Sequence, residues 1–149
     1  MQQSIFDHCA QHALAYTPQV FQAERHTILL EVEASLRLFG GLRKILYSVR
    51  MRTNTLHRQL TTSVAPTPTG AWLLTNTSEA LHRYACSSAS LKRALDPLPC
   101  LALPGAQVHR DWLDAIGCKT FKDLRTLPRV GLSRRIGLAL LKELDAAYN

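Results

Sequence analysis

The residues that could do chemistry are few and thinly spread. His8 and His12 stand at i and i+4, a spacing that lets two imidazoles share one metal ion on a helix face. No third ligand with geometric support accompanies them, so no metal site is expected there. Glu33 is the kind of carboxylate that holds Mg²⁺ in phosphoryl transfer, but that chemistry needs several acids to space the ions and neutralise them. One acid in a chain of net charge +7 makes a poor Mg²⁺ site, and its plain reading is a solvated or salt-bridged acid beside a strand. Cys9, Cys86, Cys100 and Cys118 form no Cys-x-x-Cys pair and read as buried thiols of a reducing compartment. What remains is cationic. Arg129, Arg134 and Arg135 gather around the start of the expected last helix, where the helix dipole favours an anion.

The elements that must position these groups follow from pattern. Ser4 to Tyr16 reads as a helix, ended by Thr17-Pro18 because the residue before proline avoids the helical region. Ile28 to Glu31 reads as a buried strand, and the alternation from Val32 to Leu38 continues it to the turn signal Phe39-Gly40-Gly41. Leu42 to about Thr55 is a helix with Leu42, Ile45, Leu46 and Val49 on one face. Its flanking Arg43, Lys44, Arg50 and Arg52 read as a solvated charge distribution. A threonine-rich strand is expected from Arg58 to Ala65, broken by Pro66-Thr67-Pro68, then a short helix from Thr69 to Leu74.

From Asn76 to Asp96 one helical pattern is interrupted at Cys86 to Ser90, where Ser90 can cap the following turn. The prolines from Pro97 to Pro104 suggest a domain boundary near residue 97. Beyond it everything reads helical: Ala106 to Ala115, a tight turn at Ile116-Gly117-Cys118, and a helix capped by Thr120 and running to Leu127. A last helix opens at Gly131-Leu132-Ser133, with Leu132, Ile136, Leu140, Leu144 and Tyr148 on one stripe. The expected class is α+β.

Composition narrows the function. A hydrophobic share of 46% excludes wholesale disorder, and the basic balance favours polyanionic partners. No run approaches the roughly 18 apolar residues of a membrane helix, and the N-terminus lacks a signal-peptide pattern. The expectation is a cytoplasmic protein with no membrane association.

Val32 to Gly40 resembles the second palm motif of Y-family translesion DNA polymerases, which reads roughly Asp-Glu-Ala-Phe-Leu-Asp-Val-Thr-Gly. The form Ser35-Leu36-Arg37-Leu38-Phe39-Gly40-Gly41 resembles the ImuB type, a polymerase-like branch taken to have lost catalysis. In that frame Val32 stands where the first carboxylate of the metal pair should be, and Arg37 replaces a further acid. Ser63-Val64-Ala65-Pro66-Thr67-Pro68 is similar to the family's Gly-Ile-Ala-x-Asn-Lys segment, with Pro68 at the position of the triphosphate-binding lysine. Leu113-x-x-Ile116-Gly117-Cys118-x-Thr120-x-x-Asp123-Leu124 resembles the helix-hairpin-helix of polymerase thumbs, and Leu127 to Asp145 resembles the ImuB type again.

The resemblance covers Thr17 to Gly41, Val64 to Ala71 and Leu113 to Asp145. It implies a partial palm over residues 1–96 and a thumb-like domain over 97–149. The family's first palm strand, first catalytic acid and fingers precede the Ser4 helix, so a truncated chain is expected; the little finger and clamp-binding tail would follow Asn149. The implied function is non-catalytic DNA repair in translesion synthesis, with DNA and other translesion-synthesis proteins as partners and no cofactor. Such hairpins meet phosphate through turn and helix-start amides. The implied DNA-binding residues are therefore Gly117, Cys118, Lys119, Arg129, Arg134 and Arg135. The alternatives are a protein-interaction module or decayed fragment without useful DNA affinity and, against Val32 and Pro68, an active nucleotidyltransferase.

Overall fold

The structure, a computed structural model, describes residues 2–54, 60–77 and 82–149. It is α+β and mostly helical, with two small two-stranded sheets. The chain divides into two compact units, Met1–Thr61 and Thr62–Asn149. The proline-rich stretch from residue 97 lies inside the second.

In the first unit, helix α1 (Gln2–Ala13) buries Cys9 and Ala13, one turn apart, and stops before Thr17-Pro18. Strands β1 (Val20–Ala23) and β2 (Thr27–Leu30) pair antiparallel, Val20 opposite Leu30 and Ala23 opposite Thr27. Their turn holds Arg25 and His26 at φ 57° and 52°, a conformation that costs a side-chain-bearing residue about 1–2 kcal/mol.

The strand expected through Leu38 ends at Leu30. Glu33–Ser35 forms a 3₁₀ turn and Leu36–Phe39 a short helix, α2. The physical reason is local: the Glu31 carboxylate accepts the Glu33 amide at 2.7 Å, and Gly40, at φ 74°, closes α2 while Gly41 donates to the Leu36 carbonyl at 2.7 Å. The period-2 pattern was accidental, and Leu38 is 82% exposed. Helix α3 (Leu42–Asn54) follows, anchored by buried Ile45. Tyr16 is the centre of this unit: it is buried, its ring lies 5.5 Å from that of Phe39, and the Arg52 guanidinium sits 5.9 Å above it.

The second unit holds the larger core. Among the described residues, the large side chains that are less than 2% exposed belong to it, Leu73, Leu91, Leu103, Leu113, Phe121 and Leu124 among them. It begins with β3 (Thr62–Val64), α4 (Pro68–Thr77) and β4 (His82–Tyr84), and β3 pairs parallel with β4 across that helix. Of the strand expected over Arg58 to Ala65, residues 58 and 59 lie outside the described residues, and Thr62–Val64 is the part that forms β3. β4 interrupts the helical pattern expected from Asn76 onward, because a strand edge at β3 recruits residues whose local spacing carries no strand signal. Helix α5 (Ser88–Leu95) is capped by Ser87, with Ser90 completing the capping box rather than serving as the cap.

Five further helices close the unit: α6 (Pro104–Gln107), α7 (Arg110–Ala115), α8 (Phe121–Thr126), α9 (Arg129–Ile136) and α10 (Leu138–Tyr148). Two expected helices are thus each split. The Ala106 to Ala115 helix breaks at Val108, which is exposed, because α6 docks on α10 with its Gly105 amide held by the Glu143 carboxylate at 3.0 Å. The last helix breaks at Gly137, φ 80° and ψ 176°, a region open only to glycine, although the expected stripe from Leu132 to Leu144 is buried on both sides of the break.

Helix α10 packs against α4, α5, α6 and α9. Its C-terminal end meets α4 through one hydroxyl: Thr67 Oγ1 donates to the Ala147 carbonyl at 2.8 Å and accepts the Gly70 amide at 3.0 Å. Thr67 thus caps α4, with Pro68 in the first helical position, where a missing N–H costs nothing. A Cβ on Gly70 would come within 2.6 Å of Thr67 Oγ1 and 3.0 Å of the Ala147 carbonyl, so only glycine permits this approach. Thr67→Val keeps the shape but strands one buried acceptor and one amide, and should lower stability by about 2–3 kcal/mol. Thr67→Ser, keeping the hydroxyl, should lose roughly half of that or less. Urea unfolding of the three proteins checks this; equal midpoints for Thr67→Val and the parent would contradict it.

Candidate nucleic-acid interface

The hairpin resembling a thumb element is α7, its turn and α8. Gly117 takes φ 72° and ends α7 in a Schellman arrangement: the Cys118 amide donates to the Leu113 carbonyl at 2.9 Å and the Gly117 amide to that of Asp114 at 3.1 Å. Leu113 and Cys118 supply the buried contact that accompanies this cap. Helix α8 starts with a capping box in which Thr120 Oγ1 accepts the Asp123 amide at 3.2 Å. The Asp123 carboxylate accepts the amides of Lys119 at 3.1 Å and Thr120 at 2.9 Å. Those bonds hold its carboxyl below the usual range, led by the bond from Thr120.

The next two amides are also spent, Phe121 on the Leu98 carbonyl at 2.9 Å and Lys122 on that of Asp96 at 3.1 Å. Every amide from Gly117 to Asp123 therefore has an acceptor inside the fold. An anion already sits at the head of α8, and it is the protein's own carboxylate. Phosphate contact through these amides, as the hairpin pattern implied, would require displacing Asp123 from Lys119 and Thr120 and breaking the bonds of Gly117 and Cys118 to the α7 carbonyls.

The position of α8 depends on a second acid. Asp96, at the C-terminal end of α5, receives Arg125 Nε and Nη2 at 3.3 and 3.1 Å and the Tyr148 hydroxyl at 2.8 Å. Burial alone would raise the Asp96 carboxyl; the hydrogen bonds from Tyr148 and Arg125 and the charges of Arg125 and Lys92 outweigh it and hold the group below its ordinary value. Burial and the same carboxylate push the Tyr148 phenol up. The Arg125 guanidinium lies 5.7 Å over the Tyr148 ring, which completes a three-residue clamp between α5, α8 and α10.

The cations fall into different settings. Lys119 is exposed in the hairpin turn. Arg129 is committed to Asp145, in an exposed pair whose contribution to stability is small. Arg134 and Arg135 are exposed, with no acid partner among the described residues. They do not stand at a helix start, as the unbroken last helix implied; they form the last turn of α9, where the dipole stabilises their own positive charge. The N-terminus of α10 follows directly after Gly137, without a side-chain cap.

The remaining positions resolve simply. Glu33 is exposed at the start of the 3₁₀ turn, beside Val32. His8 and His12 share α1, and among the described residues no three His, Cys, Asp or Glu side chains converge as a metal-holding group. Cys9, Cys100 and Cys118 are buried, but Cys86 is exposed, contrary to expectation, because it lies in the loop before the α5 cap. Burial, reinforced by the neighbouring Cys100, pushes the Cys118 thiol up to about 12, so it is no nucleophile near neutral pH. Among the described residues no helix is long and apolar enough to cross a membrane. Sequence reasoning missed the Asp96–Arg125–Tyr148 clamp, whose members are 29 and 52 residues apart, and no local pattern announces it. Comparison of the chain with family models, with curated proteins and with solved structures finds no match.

The clamp sets a pH dependence. Because Asp96 titrates lower in the folded state than in the unfolded chain, its stabilisation is complete above the unfolded value of about 3.9 and is lost as pH falls through the folded one. Below about pH 4 the parent should therefore lose stability more steeply than Asp96→Asn, which lacks the titrating group. Urea midpoints at several acidic pH values check this; parallel curves would show that Asp96 is not linked to folding.

Proposed function

We propose that this chain is a non-catalytic, cytoplasmic, Y-family-polymerase-like DNA-repair protein of the ImuB type, with a palm-like part and a thumb-like helical part that binds DNA through its phosphates. The observation that carries the DNA reading is the adjacent pair Arg134 and Arg135, exposed and without acid partners beside the uncapped start of α10. A phosphate placed there meets two guanidinium groups and the favourable end of a helix dipole. Lys119 adds a third available cation, while Arg129 contributes less because Asp145 already neutralises it. The hairpin amides act structurally, positioning α8, and side chains make the contacts. Such contacts fix no base sequence, so binding is non-specific. Other translesion-synthesis proteins are the partner class that the resemblance implies.

The non-catalytic part rests on residue types. Val32 cannot ligate a metal, and Glu33 is a single exposed acid. Pro68 supplies neither charge nor donor to a triphosphate and instead starts α4 under the Thr67 cap. No template-directed nucleotide incorporation is expected with Mg²⁺ or Mn²⁺. Primer extension above a heat-killed control, abolished by Glu33→Ala, would overturn this.

For DNA, counterion release makes affinity fall with salt by about 0.9 in log–log slope per neutralised phosphate. Replacing Arg134 and Arg135 by Ala should flatten the slope for duplex DNA by somewhat under two units and weaken all sequences alike. A double variant with the parent's affinity and slope would leave the interaction-module reading in its place.

A further inference from the structure

The cations of the first unit are segregated from acidic residues along the sequence. From Ala34 to Ser78 the sequence carries Arg37, Arg43, Lys44, Arg50, Arg52 and Arg58 and no acidic residue. Such segregation leaves α3 without the i,i+4 carboxylates that a merely solvated helix uses to balance its charge. On α3 a groove of about 410 Å³ is lined by Phe39, Arg43, Lys44, Tyr47 and Ser48. The groove is shallow and open, a form that suits an extended strand lying on the surface rather than an enclosed small molecule. Arg43 and Lys44 are exposed and have no acid partner among the described residues. Lys44 folds back over the Gly40 turn, its Nζ 2.9 Å from where a Cβ on Gly40 would lie. Tyr47, one turn beyond Arg43, is 66% exposed.

An aromatic face left in water one helical turn beyond two adjacent cations is an arrangement that grips a flexible strand, with a base stacking on the ring and neighbouring phosphates meeting the charges. A duplex keeps its bases stacked on one another and offers nothing to the ring. We propose that this groove binds single-stranded nucleic acid, with a base stacked on Tyr47 and neighbouring phosphates held by Arg43 and Lys44. Ser48 lines the same wall and can hydrogen-bond a phosphate or sugar oxygen.

The test uses the full-length chain and two labelled probes: short oligothymidylate and an abasic oligomer of equal length and charge. The parent should prefer the thymidylate, and Tyr47→Ala should remove about tenfold of affinity for it while barely changing the abasic probe. Tyr47→Phe should keep the preference, since the ring and not the hydroxyl does the stacking. Arg43→Ala with Lys44→Ala should weaken both probes and reduce the salt slope by about 1.4, at roughly 0.7 per phosphate of a single strand.

Replacing Arg134 and Arg135 should leave the Tyr47-dependent preference intact, so a failure of the duplex reading and a failure of this one are distinguishable. The proposal is overturned if Tyr47→Ala leaves the thymidylate preference unchanged. It is also overturned if the groove substitutions abolish binding to phosphatidylserine vesicles but not to the oligomer, which would make the groove a membrane contact.

Discussion

One hydroxyl closes the larger unit. Thr67 Oγ1 caps the start of α4 and, 80 residues along the chain, satisfies a carbonyl of the last turn of α10 that has no partner within its own helix. The contact requires Gly70, because any side chain there would strike the hydroxyl or the Ala147 backbone. It also requires Pro68, which fixes the backbone at the first helical position. Helix α10 then lies against α4, α5 and α6, and the carboxylates of Asp96 and Glu143 tie the remaining helices to it. A hydrophobic core supplies most of the driving force, but it is non-directional; these polar contacts choose one arrangement of short helices among many.

That choice bears on function through the hairpin. A pattern shared with DNA-binding hairpins fixes where the turn falls, and Gly117 makes the turn expected of it. It does not fix whether the amides are free. Here Asp123 lies three residues into the capping box, and its charge occupies the place where a phosphate would be held. The available positive charge lies instead on Lys119 and on Arg134 and Arg135. In the first unit, a groove lined by Arg43, Lys44 and Tyr47 offers an exposed aromatic surface.

Much of this was legible in the residues. The α+β class, the helices over α1 and α3, the Thr120 cap and the buried stripe from Leu132 to Leu144 follow from spacing and cap chemistry. What was not legible depends on distant partners. Val32 to Leu38 alternate like a strand, yet the Glu31 carboxylate on the Glu33 amide and a glycine turn make Glu33–Phe39 helical. β4 exists only because β3 lies beside it, and the stripe of the last helix runs through Gly137 without revealing that the backbone breaks there. The shift of Arg134 and Arg135 from an expected helix start to a helix end follows from that single glycine. For the candidate site, residue types named the cations, but only the fold shows that Arg129 is neutralised and that the hairpin amides are spent.

The central claim is that side chains at the α9–α10 junction, and not the hairpin amides, meet DNA. Amide and arginine side-chain chemical shifts of the isotopically labelled chain, followed during titration with duplex DNA at low salt, read this directly. The account predicts shifts concentrated on Arg134, Arg135, Gly137 and Leu138, with the amides of Gly117 to Thr120 unmoved. Large shifts at Gly117 to Thr120, with none at Arg134 and Arg135, would contradict it.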